Sequence, residues 1–94
     1  MNNATRVIVH NPRFEKEFRA IEADPKRRDE IIQGVDLLLS RRPDKGTRIP
    51  NSHLYAKEVA DLLRQRRLFV YYTFNKKKVY LISIVQIRGA TIWP

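Results

Sequence analysis

The chain has 94 residues, of which 19 are Lys or Arg and 10 are Asp or Glu, so its formal net charge at pH 7 is +9. This length predicts one domain over residues 1–94 with a modest core. The charge predicts an anionic partner, whether a phosphate backbone, an anionic membrane surface or an acidic protein. The absence of Cys excludes disulfides, thiolate metal sites and cysteine nucleophiles. With no secretory signal and no apolar run of membrane-spanning length, we expect a cytoplasmic protein.

The first half of the chain predicts one strand followed by two helices. Thr5–His10 is short and rich in β-branched residues, which is typical of a strand. Asn11-Pro12 and Asp24-Pro25 each join a good N-cap residue to a proline suited to the first helical turn. Apolar residues then recur at helical spacing, at positions 14, 18 and 21 and again at 31, 32, 35, 38 and 39. The second helix is expected to end near Arg41-Arg42, because a residue before proline avoids helical backbone angles.

The second half predicts a loop, an ambiguous segment and a β-hairpin. Residues 43–52 form the loop, and by periodicity alone residues 54–63 fit a helix slightly better than a strand. Leu68–Phe74 and Val79–Ile87 are apolar strand patterns joined by the polar turn Asn75–Lys78, which predicts an antiparallel hairpin. The segregation of helices from strands predicts an α+β fold. We expect one sheet face to lie on the helices and the other to be partly covered.

No common catalytic motif is present in the sequence. Glycines at positions 34, 46 and 89 cannot form a phosphate-binding loop, and His10 and His53 lack metal-ligand spacing. We therefore predict no metal and no cofactor, and a structural role is the default for a lone histidine.

Basic residues cluster around the predicted sheet. Arginine presents a planar, permanently charged fork that matches a phosphate group. The polycationic turn Asn75–Lys78 is interpreted differently, as a solvated turn that protects the sheet from aggregation. The candidate nucleic-acid contacts are Lys45, Arg48, Lys57, Arg64, Arg66, Arg67 and Arg88.

Two adjacent tyrosines, Tyr71 and Tyr72, lie in the first hairpin strand. A strand directs adjacent side chains to opposite faces, so one of them is expected in the core. The other is a candidate for stacking on an RNA base, and we assign this role to Tyr72.

An RNA-cleaving chemistry is compatible with these residues. RNA carries its own nucleophile, the 2′-hydroxyl, so an enzyme needs to orient that group, stabilise the pentacovalent phosphorane and move protons. Arg and Lys supply the charge stabilisation. The candidate general bases are Glu58, Lys57 and His53.

The order of these segments resembles the RelE/ParE superfamily of toxins from type II toxin–antitoxin systems. The resemblance runs through Asn-Pro-x-Phe (Asn11–Phe14), Arg-Arg-Pro-x-x-Gly-x-x-Ile-Pro (Arg41–Pro50), Arg-Leu-Phe-Val-Tyr-Tyr (Arg67–Tyr72) and Val-Tyr-Leu-Ile-Ser-Ile (Val79–Ile84). It implies a β-α-α-β-β-β order, with an antiparallel sheet packed against a helical hairpin. It also implies that residues 54–60 form a strand.

Two activities are implied by this resemblance: ribosome-dependent cleavage of mRNA, which inhibits translation, or inhibition of DNA gyrase. Arg67 stands where the nucleases place the arginine that contacts the scissile phosphate, and Lys57 falls in the strand that carries basic site residues. Arg88 matches their last arginine after a small shift. The nucleases carry Tyr or His after that arginine, and none follows Arg88 here. A diverged, non-catalytic domain that binds RNA or protein is therefore a further alternative.

The resemblance also implies a partner for this basic chain. An acidic antitoxin covers the basic surface of such toxins. The apolar residues Ile92-Trp93 are a candidate part of that contact, with packing on the protein's own core as the alternative.

Overall fold

The computed structural model describes residues 5–87, and this part of the chain forms two helices and a five-stranded sheet. A single 3-10 turn, Pro43–Lys45, follows the second helix. The predicted α+β class is confirmed. The helices are α1 (Pro12–Ile21) and α2 (Pro25–Arg41), and the strands are β1 (Val7–His10), β2 (Thr47–Arg48), β3 (Tyr55–Asp61), β4 (Arg66–Phe74) and β5 (Lys78–Ile87).

Both helices begin at the caps that the sequence predicts. The side chain of Asn11 accepts a hydrogen bond from the backbone N–H of Arg13 at 2.8 Å, and Asp24 accepts one from Lys26 at 3.0 Å. Each cap satisfies a backbone donor that the first helical turn leaves without a partner. Helix α2 ends at Arg41, two residues before Pro43, as predicted.

The sheet is mixed, with strand order β1-β5-β4-β3-β2. Strands β2 to β5 are antiparallel to their neighbours, but β1 runs parallel to β5, with Val7 opposite Lys78 and His10 opposite Leu81. The expectation of a wholly antiparallel sheet is therefore wrong. Short turns force the neighbouring strands β3, β4 and β5 to be antiparallel, whereas no turn links β1 to β5 and their pairing is free to be parallel.

The ambiguous segment is the strand β3, as the resemblance implies, and its periodicity was misleading. Tyr55 and Val59 both pack against the core. Their spacing of four residues fits one face of a helix and also one face of a strand, so the apolar positions alone could not separate the two. The loop before β3 also contains the short strand β2, which the sequence does not predict.

Both helices pack on one face of the sheet. Leu68, Val70 and Tyr72 point toward the helices and are fully buried, so the alternate residues of β4 must point the other way. No helix of residues 5–87 covers this second face, which we call the open sheet face. Neither helix has the length and apolar character required to cross a membrane. The open sheet face carries Arg67, Phe69, Tyr71 and Thr73 from β4, Ala56, Glu58 and Ala60 from β3, and Tyr80, Val85 and Ile87 from β5.

Candidate functional site

The open sheet face carries a carboxylate and a guanidinium in direct contact. Arg67 Nε donates to Glu58 Oε2 at 2.6 Å, and Arg67 Nη2 donates to Glu58 Oε1 at 3.1 Å. The contact arises because Arg67 lies opposite Ala60 and Glu58 lies opposite Phe69, which makes the two side chains diagonal neighbours on adjacent strands. Both are half-exposed, at 49% for Arg67 and 40% for Glu58, so a ligand can reach them.

This pair is charged at neutral pH. The hydrogen bonds from Arg67 lower the pKa of Glu58, partial burial opposes the shift, and the nearby charges of Arg67 and Lys57 add to it. Glu58 in turn raises the pKa of Arg67. The Arg67 guanidinium also lies 5.9 Å from the centre of the Phe69 ring. These contacts hold the guanidinium in place through Nε and Nη2, and within residues 5–87 its Nη1 group makes no hydrogen bond.

Lys57 does not join this pair. It lies between Tyr55 and Val59 in register, and alternation along β3 places it on the helix side of the sheet. The structure therefore separates the predicted catalytic residues Arg67 and Lys57 onto opposite faces. Arg88 lies outside the described residues, as do Ile92 and Trp93.

Arg66 is part of a buried ion cluster, so its assignment to RNA binding is wrong. Its side chain is only 11% exposed. Nη1 donates to the carbonyl of Ile21 at 2.9 Å, Nη2 donates to Glu22 at 2.9 Å, and Nε donates to Asp61 at 3.0 Å. All its donor nitrogens thus have partners within the fold, and an RNA phosphate would have to break them.

Arg64 belongs to the same cluster, although it is 45% exposed. Its Nε donates to Glu22 at 2.6 Å. Arg27 of α2 completes the cluster through an ion pair with Asp61, whose side chain is fully buried. Sequence reasoning missed Glu22, Arg27 and Asp61, because nothing in their local patterns shows that they meet. We call Glu22, Arg27, Asp61, Arg64 and Arg66 the ion cluster.

Tyr72 is buried and cannot stack on a base, so its predicted role in RNA binding is wrong. Its hydroxyl donates to the carbonyl of Pro43 and accepts the backbone N–H of Gly46 at 3.1 Å. Burial raises the pKa of Tyr72 to about 12, an effect that the hydrogen bond from Gly46 partly opposes. Tyr71 is the tyrosine on the open sheet face. Both faces of β4 are rich in apolar residues, so the sequence did not show which of the two faces inward.

Lys45, Arg48 and His53 lie together near β2, away from the Glu58–Arg67 pair. All three are exposed, and Arg48 Nε donates to the carbonyl of Ser52 at 3.0 Å. His53 lies in the loop before β3, five residues before Glu58. The structure therefore places Glu58, and neither His53 nor Lys57, beside Arg67.

Compared with known proteins, the chain matches no protein-family model and no curated relative. A functional assignment therefore rests on the open sheet face and on the motifs in the sequence.

Proposed function

We propose that this protein is a RelE/ParE-type toxin of a type II toxin–antitoxin system that cleaves mRNA in a ribosome-dependent manner. The observation that supports this proposal is the bidentate Glu58–Arg67 contact on the open sheet face. It places a candidate base and a permanent cation within one hydrogen bond of each other, at a position that solvent and a ligand can reach.

In the proposed reaction, Glu58 takes the proton of a ribose 2′-hydroxyl as its oxygen attacks the adjacent phosphorus. Arg67 stabilises the extra negative charge of the phosphorane, for which Nη1 is the available donor. The bond to the 5′-oxygen then breaks, and that oxygen takes a proton from water. The products are a 2′,3′-cyclic phosphate and a 5′-hydroxyl end.

The pKa of Glu58 bears directly on this role. Because Arg67 lowers it, Glu58 is ionised at neutral pH and ready to accept a proton. A lowered pKa also makes a weaker base, so Glu58 is expected to work chiefly by orienting the hydroxyl, while Arg67 supplies the charge stabilisation.

The proposal includes an acidic antitoxin as the natural partner. With a net charge of +9, the protein attracts both an anionic substrate and an anionic inhibitor.

The test is induced expression in a bacterial host, with growth and the 5′ ends of a few abundant mRNAs measured in the same culture. We expect growth arrest with new 5′ ends inside translated regions. Glu58→Gln and Arg67→Ala should each reduce cleavage by about 10²-fold or more, because each removes one proposed chemical role. Arg67→Lys keeps the charge but not the fork, and should retain only part of the activity.

Arg13→Ala is the matched control for these variants. Arg13 forms an exposed pair with Glu17 on α1 at 3.1 Å, so its replacement also removes an arginine from an Arg–Glu pair, on the helix side of the molecule. This variant should cleave like the parent protein. Full cleavage by Arg67→Ala would overturn the site assignment, and intact mRNA in arrested cells would overturn the nuclease itself.

A non-catalytic member, such as a gyrase inhibitor, is the second candidate. The observation in its favour is that, within residues 5–87, neither Lys57 nor His53 accompanies the Glu58–Arg67 pair as a proton donor. Under this alternative, expression should stall replication and induce the DNA-damage response while mRNA stays intact. Arrest without DNA damage would count against it.

A further inference from the structure

The turn between β4 and β5 is cationic and internally hydrogen-bonded, and it lies at the end of the open sheet face opposite Arg67. Asn75 Oδ1 accepts the backbone N–H groups of Lys77 and Lys78, each at 2.8 Å, and Asn75 N donates to the carbonyl of Lys78 at 2.9 Å. Arg6 Nε donates to the carbonyl of Asn75 at 2.7 Å. The backbone that carries the lysines is therefore ordered before any ligand binds, which lowers the entropy cost of binding.

The lysines of this turn have charges that no carboxylate neutralises in the described part of the chain. Lys76, Lys77 and Lys78 are all exposed, and none of them forms a salt bridge with residues 5–87. Arg6, which contacts the same turn, lies 5.6 Å from the centre of the Phe74 ring. In the ion cluster, by contrast, Glu22 and Asp61 neutralise the charges of the arginines.

Aromatic side chains lie between this turn and Arg67 on the same face. Phe69 and Tyr71 follow Arg67 along β4, and Tyr80 lies opposite Thr73 on β5, close to the turn. Tyr80 and the three lysines line one shallow, open depression. From Arg67 to Phe74, where the turn begins, the strand extends about 24 Å. Cations thus lie at the two ends of this face, with aromatic rings between them. This arrangement suits a single-stranded nucleic acid, because its phosphates bind cations and its bases stack on aromatic side chains.

We propose that Lys76, Lys77 and Lys78 form a second phosphate-binding site, which holds the single-stranded RNA whose scissile phosphate lies at Arg67. This inference rests on the proposed function for the identity of the ligand. The bound segment is about four nucleotides, at the small end of the range for sheet-based single-strand binders. Tyr71 and Tyr80 stack on bases between the two phosphate sites. The turn therefore binds substrate in addition to keeping the sheet soluble.

The experiment measures binding of a fluorescein-labelled 2′-O-methyl octauridylate, which lacks the 2′-hydroxyl nucleophile and cannot be cut by the proposed reaction. The affinity is determined by anisotropy at several salt concentrations for the parent protein and for Lys76→Gln/Lys77→Gln/Lys78→Gln. The slope of log affinity against log salt should become shallower by about 2, since each single-strand phosphate contact contributes about 0.7. At low salt the affinity should fall at least about tenfold.

The matched control is Lys16→Gln/Arg19→Gln/Lys26→Gln, which removes the same charge from exposed positions on α1 and α2. Its slope should stay close to that of the parent protein. All the replaced residues are exposed, and thermal unfolding of each variant checks that the fold is intact.

Three outcomes would overturn the inference: a parent protein that does not bind the oligonucleotide, a turn variant that keeps the parent slope, and a control that loses as much slope as the turn variant. In the first of these cases, binding of an acidic peptide with the same dependence on the turn would show that the turn binds protein and not RNA. The proposed function fails separately, through intact mRNA in the induced cells. A turn variant with a reduced slope would support the phosphate site even if no cleavage were found.

Discussion

Tyr72 stabilises the packing of the loop after α2 against the sheet. Its ring is fully buried, and its hydroxyl serves two backbone groups of that loop, the carbonyl of Pro43 and the N–H of Gly46. Gly46 is required here for reasons of space. A Cβ at this position would lie 2.2 Å from the Tyr72 hydroxyl and 2.9 Å from the carbonyl oxygen of Ala56. The hydrogen bond and the close approach therefore depend on the same pair of residues.

Tyr72→Phe should lower the free energy of unfolding by about 1–2 kcal/mol, because two backbone groups lose their shared partner. Urea unfolding measures the change. Tyr71→Phe is the control, since Tyr71 lies on the open sheet face and its replacement should leave the free energy of unfolding unchanged. Equal stability of the two variants would contradict the proposed role of the Tyr72 hydroxyl.

Gly46→Ala should destabilise the protein by about 1–3 kcal/mol, because the added methyl group overlaps the Tyr72 hydroxyl. Combining it with Tyr72→Phe removes the atom that is overlapped most. The double variant should therefore be more stable than the sum of the single losses predicts, with a coupling of at least about 0.5 kcal/mol. Strict additivity in urea unfolding would show that the methyl group is accommodated elsewhere.

The ion cluster joins the linker between α1 and α2 to the turn between β3 and β4. Glu22 accepts hydrogen bonds from Arg64 at 2.6 Å and from Arg66 at 2.9 Å, while Asp61 pairs with Arg27 of α2. The same turn holds Gln65 with φ at 54°, in the left-handed region that costs a side-chain-bearing residue about 1–2 kcal/mol. The cluster therefore fixes a strained turn in place, and it places Arg67 two residues beyond that turn.

Asp61→Asn should lower the free energy of unfolding by about 3 kcal/mol, since it removes the buried counterion of Arg27 and one of the two buried carboxylates that pair with Arg66. Asp44→Asn is the control, because Asp44 is 59% exposed and its pair with Arg42 should contribute little to stability. Chemical denaturation of both variants at pH 7 measures the difference. An Asp61 variant as stable as the control would contradict the structural role of the cluster.

Acid should remove the contribution of Asp61 in the parent protein. Burial raises the pKa of Asp61, but the hydrogen bonds from Arg27 and Arg66 outweigh it and the net shift is downward. A lowered folded-state pKa means that the stabilisation is complete above the ordinary pKa of about 3.9 and is lost as pH falls through the folded-state value. Stability curves should therefore fall less steeply in acid for Asp61→Asn than for the parent. Parallel curves would contradict this assignment.

The sheet as a whole is organised around β4 and β5. In the order β1-β5-β4-β3-β2, these two strands are each paired on both sides, and they supply Leu68, Val70, Val79 and Leu81 to the fully buried core. Strand β2 pairs with β3 only at Thr47 and Arg48, opposite Ala56 and Tyr55. Strands β4 and β5 are thus stabilised by hydrogen-bonded neighbours on both sides and by the core. Strand β2, at the edge, is stabilised by one short ladder alone.

Hydrogen exchange should reflect this arrangement. Hydrogen-bonded amides of β4 and β5 should exchange only through global unfolding, so their free energies of opening should equal the stability measured by urea. Amides of β2 should open locally at much lower free energy. The measurement is native-state exchange followed by NMR, and uniform protection across all five strands would contradict it.

Local patterns in the sequence were sufficient to predict both helices and the hairpin strands, whereas Arg67 was singled out as a site candidate by the family resemblance. Caps at Asn11 and Asp24, the proline after α2 and the apolar runs of the hairpin strands act within a few residues, so they can be read from the chain. Only the tertiary structure decided that β1 pairs in parallel with β5, that Tyr71 and not Tyr72 reaches the open sheet face, and that Lys57 faces away from Arg67. It also decided that Arg66 forms an ion pair with Glu22, which is 44 residues away in the sequence. These outcomes depend on which distant groups come together and which face of the sheet the helices cover, and no local pattern carries that information.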